Sequence, residues 1–221
     1  MVAPSPASVR VSLEIGRRRT FAAALDWPGW ARSGRSEDDA LAALRAYAPR
    51  YEPVARGAGE EPPDPARLDV VERIVGSAST DFGVLAGIAE RDREPPGDEV
   101  AATLLRLVES SWAVFDRIVA CAPAVLRKGP RGGGRDRDAI VDHVLGAEAE
   151  AYAPKLGARL PRPRFDDAGA VAAHRSALLA TLLEAATRVG PSPRWPPRYA
   201  ARRIAWHVLD HAWEIEDRAE P

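Results

Sequence analysis

From Gly97 onward the chain carries four long stretches in which apolar residues recur every three or four positions, each ended by a glycine- or proline-rich break. That period belongs to amphipathic helices, and no period-two alternation interrupts it, so this half of the chain should fold as helices packed side by side. The first helix is expected from Glu99 to about Val125, capped by Asp98, with Leu104, Leu105, Val108, Trp112, Phe115 and Val119 turned inward. "RKGPRGGGRDRD" then reads as a glycine-rich loop. The second helix, over residues 137–153, carries Ile140, His143, Val144, Ala147 and Tyr152 on one side and stops at Pro154. After the loop "GARLPRPRFDDAG", a third over 168–189 carries Val171, Leu178, Leu179, Leu182 and Leu183. "GPSPRWPP" separates it from a fourth over 198–219. Four such helices imply an all-α antiparallel four-helix bundle over residues 98–221.

The preceding stretch has a different grammar. "VRVSLEI" (residues 9–15) alternates apolar and polar as a strand does, "TFAAALDW" (20–27) reads as a second strand, and "PGWARSG" (28–34) turns and returns as a short third. Ser36 is placed to cap a helix, with Asp39 three residues on, and "EDDALAALRAYAPRY" continues that helix until Pro49 limits it. "ARGAGEEPPDPA" reads as a loop. "LDVVERIVGSASTDFGVLAGIAE" favours two short strands around "GSASTD" over a helix, and "RDREPPGDE" (91–99) reads as a linker. A small α+β domain over residues 1–92 is therefore expected ahead of the bundle, with 55–92 its least patterned part.

The formal net charge of −1 argues against electrostatic binding to nucleic acid or to a membrane surface. Basic residues are almost all arginine, with lysine only at Lys128 and Lys155. Cys121 stands alone, which excludes a disulfide framework and a cysteine zinc site. No basic segment followed by an apolar run marks a signal peptide, and the expected compartment is the cytoplasm.

The chemistry concentrates in the histidines, of which the chain has four. His207 and His211 lie four residues apart in "RRIAWHVLDHAWEIEDR", a spacing that sets two imidazoles one helical turn apart, able to converge on one cation. Val208 follows the first histidine where the zinc-peptidase HExxH motif has its glutamate, so the general base of that class is missing. His143, in "AIVDHVLGAEAE", occupies a core-facing position of the second helix and is the candidate third ligand. Three neutral histidines leave coordination positions open, as at a reactive metal rather than a structural one. The competing reading is of packed core histidines with ordinary hydrogen-bond partners. His174 is read as such a residue at the core edge, and Cys121 as an inert one. Asp142, Asp210 and Glu214 neighbour the candidate ligands, where they either orient imidazole N–H groups or serve as solvated helix-face charges. Trp112, Trp206 and Trp213 read as packing residues.

The pair "DHVLGAEAEAY" and "RRIAWHVLDHAWEIEDR", with a helix between them, resembles the DinB/YfiT-like superfamily over about residues 98–221. The resemblance implies a four-helix bundle with one histidine on the second helix, here His143, and an HxxxH pair on the last, here His207 and His211. It implies a bound divalent ion, zinc, nickel or similar. Family members of known activity are mostly thiol-dependent transferases or isomerases that use a low-molecular-weight thiol such as bacillithiol or mycothiol. In the first part, "FAAALDWPGWARSGRSEDDALAALRAYAPRY" resembles the HicB-like antitoxin fold, through Pro28-Gly29, Gly34, Ser36 and Ala40. The DNA-binding module usual there is replaced by the bundle, which speaks against repression and toxin neutralisation. "GPRGGGRDR" lacks the closing Gly-Lys-Ser/Thr of a phosphate loop and reads as a flexible connection.

The expected function is that of a metal-dependent enzyme acting on a small molecule with a low-molecular-weight thiol, an S-transferase or isomerase, without nucleic acid or membrane as partner and compatible with a homodimer. Arg202 or Arg203 is expected to meet an anionic group of the substrate, with residues 161–167 or the first domain as a wall. The alternative is a non-catalytic binding or regulatory module with a structural or vestigial metal site.

Overall fold

A computed structural model of the chain describes residues 8–129, 133–188 and 194–219. Residues 130–132 of the glycine-rich loop, residue 189, and 190–193 of the "GPSPRWPP" break lie outside the described residues.

The first part is a four-stranded mixed sheet with helices against it. Strands β1 (Val9–Ile15), β2 (Thr20–Ala24), β3 (Ala31–Gly34) and β4 (Leu68–Val75) are arranged in the order β3-β2-β1-β4. The β1–β2 and β2–β3 pairs are antiparallel, and β4 joins the other side of β1 in parallel. Alternation along β1 sends Val9, Val11 and Leu13 into the main core, while the buried Ser12 and Glu14 belong to the opposite face. That face is also covered. Thr80 and the backbone amides of Ala86 and Gly87 all donate to the Glu14 carboxylate, and Leu85 packs with Phe21, Ala23, Ala31 and Trp206.

Ser36 caps α1 (Glu37–Ala46) as expected, its hydroxyl accepting from the Asp39 amide at 3.1 Å. The helix ends at Tyr47, and a second one, α2 (Ala48–Gly57), restarts with Pro49 in its first turn, where a missing N–H costs nothing. Of the two short strands expected around "GSASTD", the first is β4; the second is not found among the described residues, and the motif itself opens a short helix, α3 (Ala78–Phe82). Ser77 and Thr80 close a reciprocal capping box there, and Gly83, with φ 106°, ends the helix. Local hydroxyl-to-backbone bonds therefore decide a segment whose apolar pattern is indifferent.

Helices α4 (Glu90–Arg93), α5 (Asp98–Cys121), α6 (Arg137–Gly146), α7 (Ala168–Thr187) and α8 (Pro197–Ala219) complete the chain. Gly97 takes the cap position expected for Asp98, and α5 stops four residues short of Val125, which is exposed. After Gly146 the α6 chain widens into a π-helical stretch, Ala147–Tyr152, followed by a 3-10 turn at Ala153–Lys155. Leu183, expected inward on α7, is exposed, whereas His174, Leu178 and Leu182 are buried. α8 packs on α4, α5, α6 and α7, and α5 also contacts α7. No described helix is long and apolar enough to cross a membrane.

One hydrophobic cluster joins both parts: Val11, Leu13, Trp30 and Tyr51 pack together with Leu107, Phe115, Ile204, Leu209 and Trp213. Two glycines of the "PGWARSG" motif make the junctions. A Cβ on Gly29, whose φ is 93°, would lie 2.5 Å from Leu209 Cδ1 on α8, and one on Gly34 would lie 2.4 Å from the Ala40 amide of α1.

The segment over residues 91–99 is not the free linker expected. Asp92 of α4 is buried, accepts from the Ala89 amide, and receives the Arg202 guanidinium of α8, with Nε 2.9 Å from Oδ1. Both side chains are almost fully removed from water, so removing one partner strands the other charge, at a cost of about 3–5 kcal/mol. Arg202→Met alone should lower the unfolding free energy by that amount in a urea titration, and Arg202→Met with Asp92→Leu should recover most of it. Equal losses in the single and double variants would contradict the pairing.

Candidate metal centre

α8 is buried along most of its length, and its i, i+4 pair His207 and His211 sits where α6 crosses, with His143 opposite. One ligand-capable atom from each of the three lies within 4.8 Å of the other two. His143 Nε2 and His207 Nε2 are 3.3 Å apart, and the three ring centroids are separated by 4.7–5.1 Å. Two nitrogens bound to one tetrahedral ion at about 2.0–2.1 Å stand about 3.3 Å apart, so this pair already has the spacing of zinc ligands.

The protonation states favour coordination. Burial holds the His207 imidazole well below the ordinary histidine value of 6.5, and the positive charge of His211 and Arg203 pushes it the same way. His143 is lowered also, again by burial first and by His211 next. Both are therefore neutral at pH 7, as a metal ligand must be. His207 Nδ1 is buried without a hydrogen-bond partner among the described residues. His211 is oriented from behind: its Nδ1 lies 2.8 Å from Glu214 Oε2, which leaves Nε2 for a cation. Glu214 in turn accepts from Arg218, and its pKa falls chiefly through the His211 hydrogen bond.

Of the three acidic neighbours, Glu214 alone bonds to a candidate ligand. Asp142 pairs with Arg162, and Asp210 with Arg32 of β3. The signal for Glu214 is its spacing, three residues after His211 on one helix. The tryptophans pack as expected: Trp206 edge-on to Phe21, Trp213 against Tyr47, and Trp112 through a 2.7 Å hydrogen bond from its indole to Glu148.

Arg202 does not meet an open site, because Asp92 holds it. Arg203 is buried over the rings of Tyr152 and Trp206. Residues 161–167 border a cavity of about 440 Å³ that touches His174 and none of the other three histidines. His174 is buried with Nε2 3.5 Å from Glu148 Oε2, a core pair that the helical pattern only half announced. Cys121 is exposed at the end of α5. A scan against protein-family models and searches of curated proteins and of solved structures find no match to this chain.

Two measurements check the centre. Glu214→Gln should weaken zinc affinity by about 10–100-fold in a competition titration without changing the far-ultraviolet spectrum. In metal-free protein, His143 and His207 bind protons more weakly folded than unfolded. Their contribution to stability is complete above pH 6.5, the ordinary histidine value, and is lost as pH falls below it. The urea midpoint should fall from pH 7.5 to 5.5, and His207→Gln should flatten that fall.

Proposed function

We propose that the chain is a DinB-like divalent-metal protein in which α5 to α8 form an antiparallel four-helix bundle behind a small HicB-like unit. On this reading it is a cytoplasmic metal-dependent enzyme that acts on a small molecule, with a low-molecular-weight thiol as cosubstrate. The observation that carries the reading is the triad itself: three imidazoles from two helices, within 4.8 Å at their ligand atoms, one of them backed by a carboxylate.

The donor set fits the ion. Three nitrogens suit zinc, nickel and their neighbours, and His143 Nε2 and His207 Nε2 face each other at 3.3 Å, where one cation can be shared between the rings. A divalent ion at such a centre supplies acidity, lowering the pKa of a water or thiol bound to it. The chain does the rest. Burial keeps His143 and His207 neutral at physiological pH, Glu214 fixes the tautomer of His211, and the helices exclude bulk water from His207, which is 8% exposed. Peptide hydrolysis is not part of the reading, since Val208 stands where that chemistry places a general base.

Protein purified without an affinity tag should carry about one divalent ion per chain, measured by mass spectrometry of the metal, and His207→Ala less than about a tenth of that. Metal-loaded protein should consume a small electrophile in the presence of mycothiol, bacillithiol or glutathione faster than the His207→Ala variant does. Metal bound without turnover for any thiol would support the non-catalytic module instead.

A further inference from the structure

The cavity of about 440 Å³ beside α7 is separate from the triad, since none of His143, His207 and His211 lines it. Its wall is mostly apolar, with Leu160, Pro161 and Pro163 from the segment before α7 and Ala170, Ala173 and Ala177 from α7 itself. The charged residues of the wall are already engaged. Arg162 pairs with Asp142 and Glu150, Arg164 pairs with Asp166, and Asp167 caps α7 by accepting from the Ala170 amide. His174 is the one polar residue of the wall whose side chain has no hydrogen-bond partner, at Nδ1 or at Nε2.

A carboxylate stands against His174 from outside the wall. Glu148 is fully buried on the π-helical stretch, a widened turn of the kind that recurs at functional positions in helices. Its Oε1 accepts from the Trp112 indole at 2.7 Å, while Oε2 lies 3.5 Å from His174 Nε2 and is itself without a hydrogen bond. The two side chains are 2% and 0% exposed, so neither is answered by bulk water. A carboxylate on the Nε2 side draws the ring proton to that nitrogen, which leaves Nδ1 a lone-pair acceptor. No hydrogen bond restrains the imidazole, so a small change in its torsions presents Nδ1 to a guest. A wholly apolar guest would leave that acceptor unanswered, and an anionic one would be repelled by Glu148. A hydroxyl donor on an apolar body suits both the wall and the acceptor.

We propose that this cavity is a second ligand site, that it takes a small molecule with an apolar body and one hydroxyl group, a phenol or an alcohol, and that His174, oriented by Glu148, accepts the hydrogen bond of that hydroxyl. The site goes beyond the metal-enzyme reading and does not depend on it.

The test is a nuclear magnetic resonance titration of the full chain, labelled with nitrogen-15 at histidine, using p-cresol, toluene and p-toluate. The three share a methyl-bearing ring and differ in carrying a hydroxyl, no polar group or a carboxylate. p-Cresol should bind saturably at millimolar concentration and shift the ring nitrogens of His174, identified by their loss in His174→Gln, while those of His143, His207 and His211 stay in place. Toluene and p-toluate should bind about tenfold more weakly or worse. Ala173→Phe, at an exposed position of α7, should fill the cavity and abolish p-cresol binding with the circular dichroism unchanged. Glu148→Gln should change the tautomer balance that the His174 nitrogens report. His207→Ala should bind p-cresol as the parent does, whatever its metal content. Absence of saturable p-cresol binding, equal binding by parent and Ala173→Phe, or toluene or p-toluate bound as tightly as p-cresol overturns the proposal.

Discussion

The arrangement around the triad depends on one constraint: α8 is taken out of water with its polar side chains still on it. Arg198, Arg202, Arg203 and His207 are all buried. Each needs an answer from another part of the chain, because an unpaired buried charge or imidazole is costly. Arg202 finds Asp92 on α4, and Arg198 donates to the Glu94 carbonyl just beyond that helix. Arg203 lies over the Tyr152 and Trp206 rings. His207 meets His143. The positions of α4, of the π-helical stretch and of α6 can each be read as a reply to one side chain of α8.

The N-terminal sheet is joined to the same helix. Gly29 brings its turn against Leu209 and Ala205, and Arg32 of β3 pairs with Asp210, one residue before His211. The "PG" dipeptide is thus explained by packing as well as by turn geometry: a residue with a side chain would be both strained at φ 93° and in collision with α8.

What could be read from the sequence was whatever a single local rule decides. The strand at residues 9–15, the Ser36 cap, the long helices α5 and α8 and the histidine spacing all follow from period or from one hydroxyl. The convergence of His143 with His207 and His211 was also legible, since each lies on the apolar face of its own helix. Errors arose where distant partners decide. "GSASTD" became a helix because Ser77 and Thr80 cap it while Glu14, far back in the chain, gathers Thr80 and two amides. A charged, proline-rich segment looked like a linker because nothing in its composition announces that Asp92 faces Arg202, 110 positions away. Arg202 looked free for a ligand for the same reason. Among Asp142, Asp210 and Glu214, helical spacing allowed all three to orient a histidine, and the nearby arginines Arg162 and Arg32 removed two.

The contact between His143 and His207 joins residues 64 positions apart. In a chain with one cysteine, no covalent cross-link can tie these helices together. An ion held by both rings would do so, closing a loop whose entropy in the unfolded chain is worth about 4 kcal/mol, as for a disulfide of similar span. Such a clasp differs from a disulfide in one respect: it opens and closes with the free ion concentration and with pH, so the cohesion of this half of the molecule becomes a function of its surroundings.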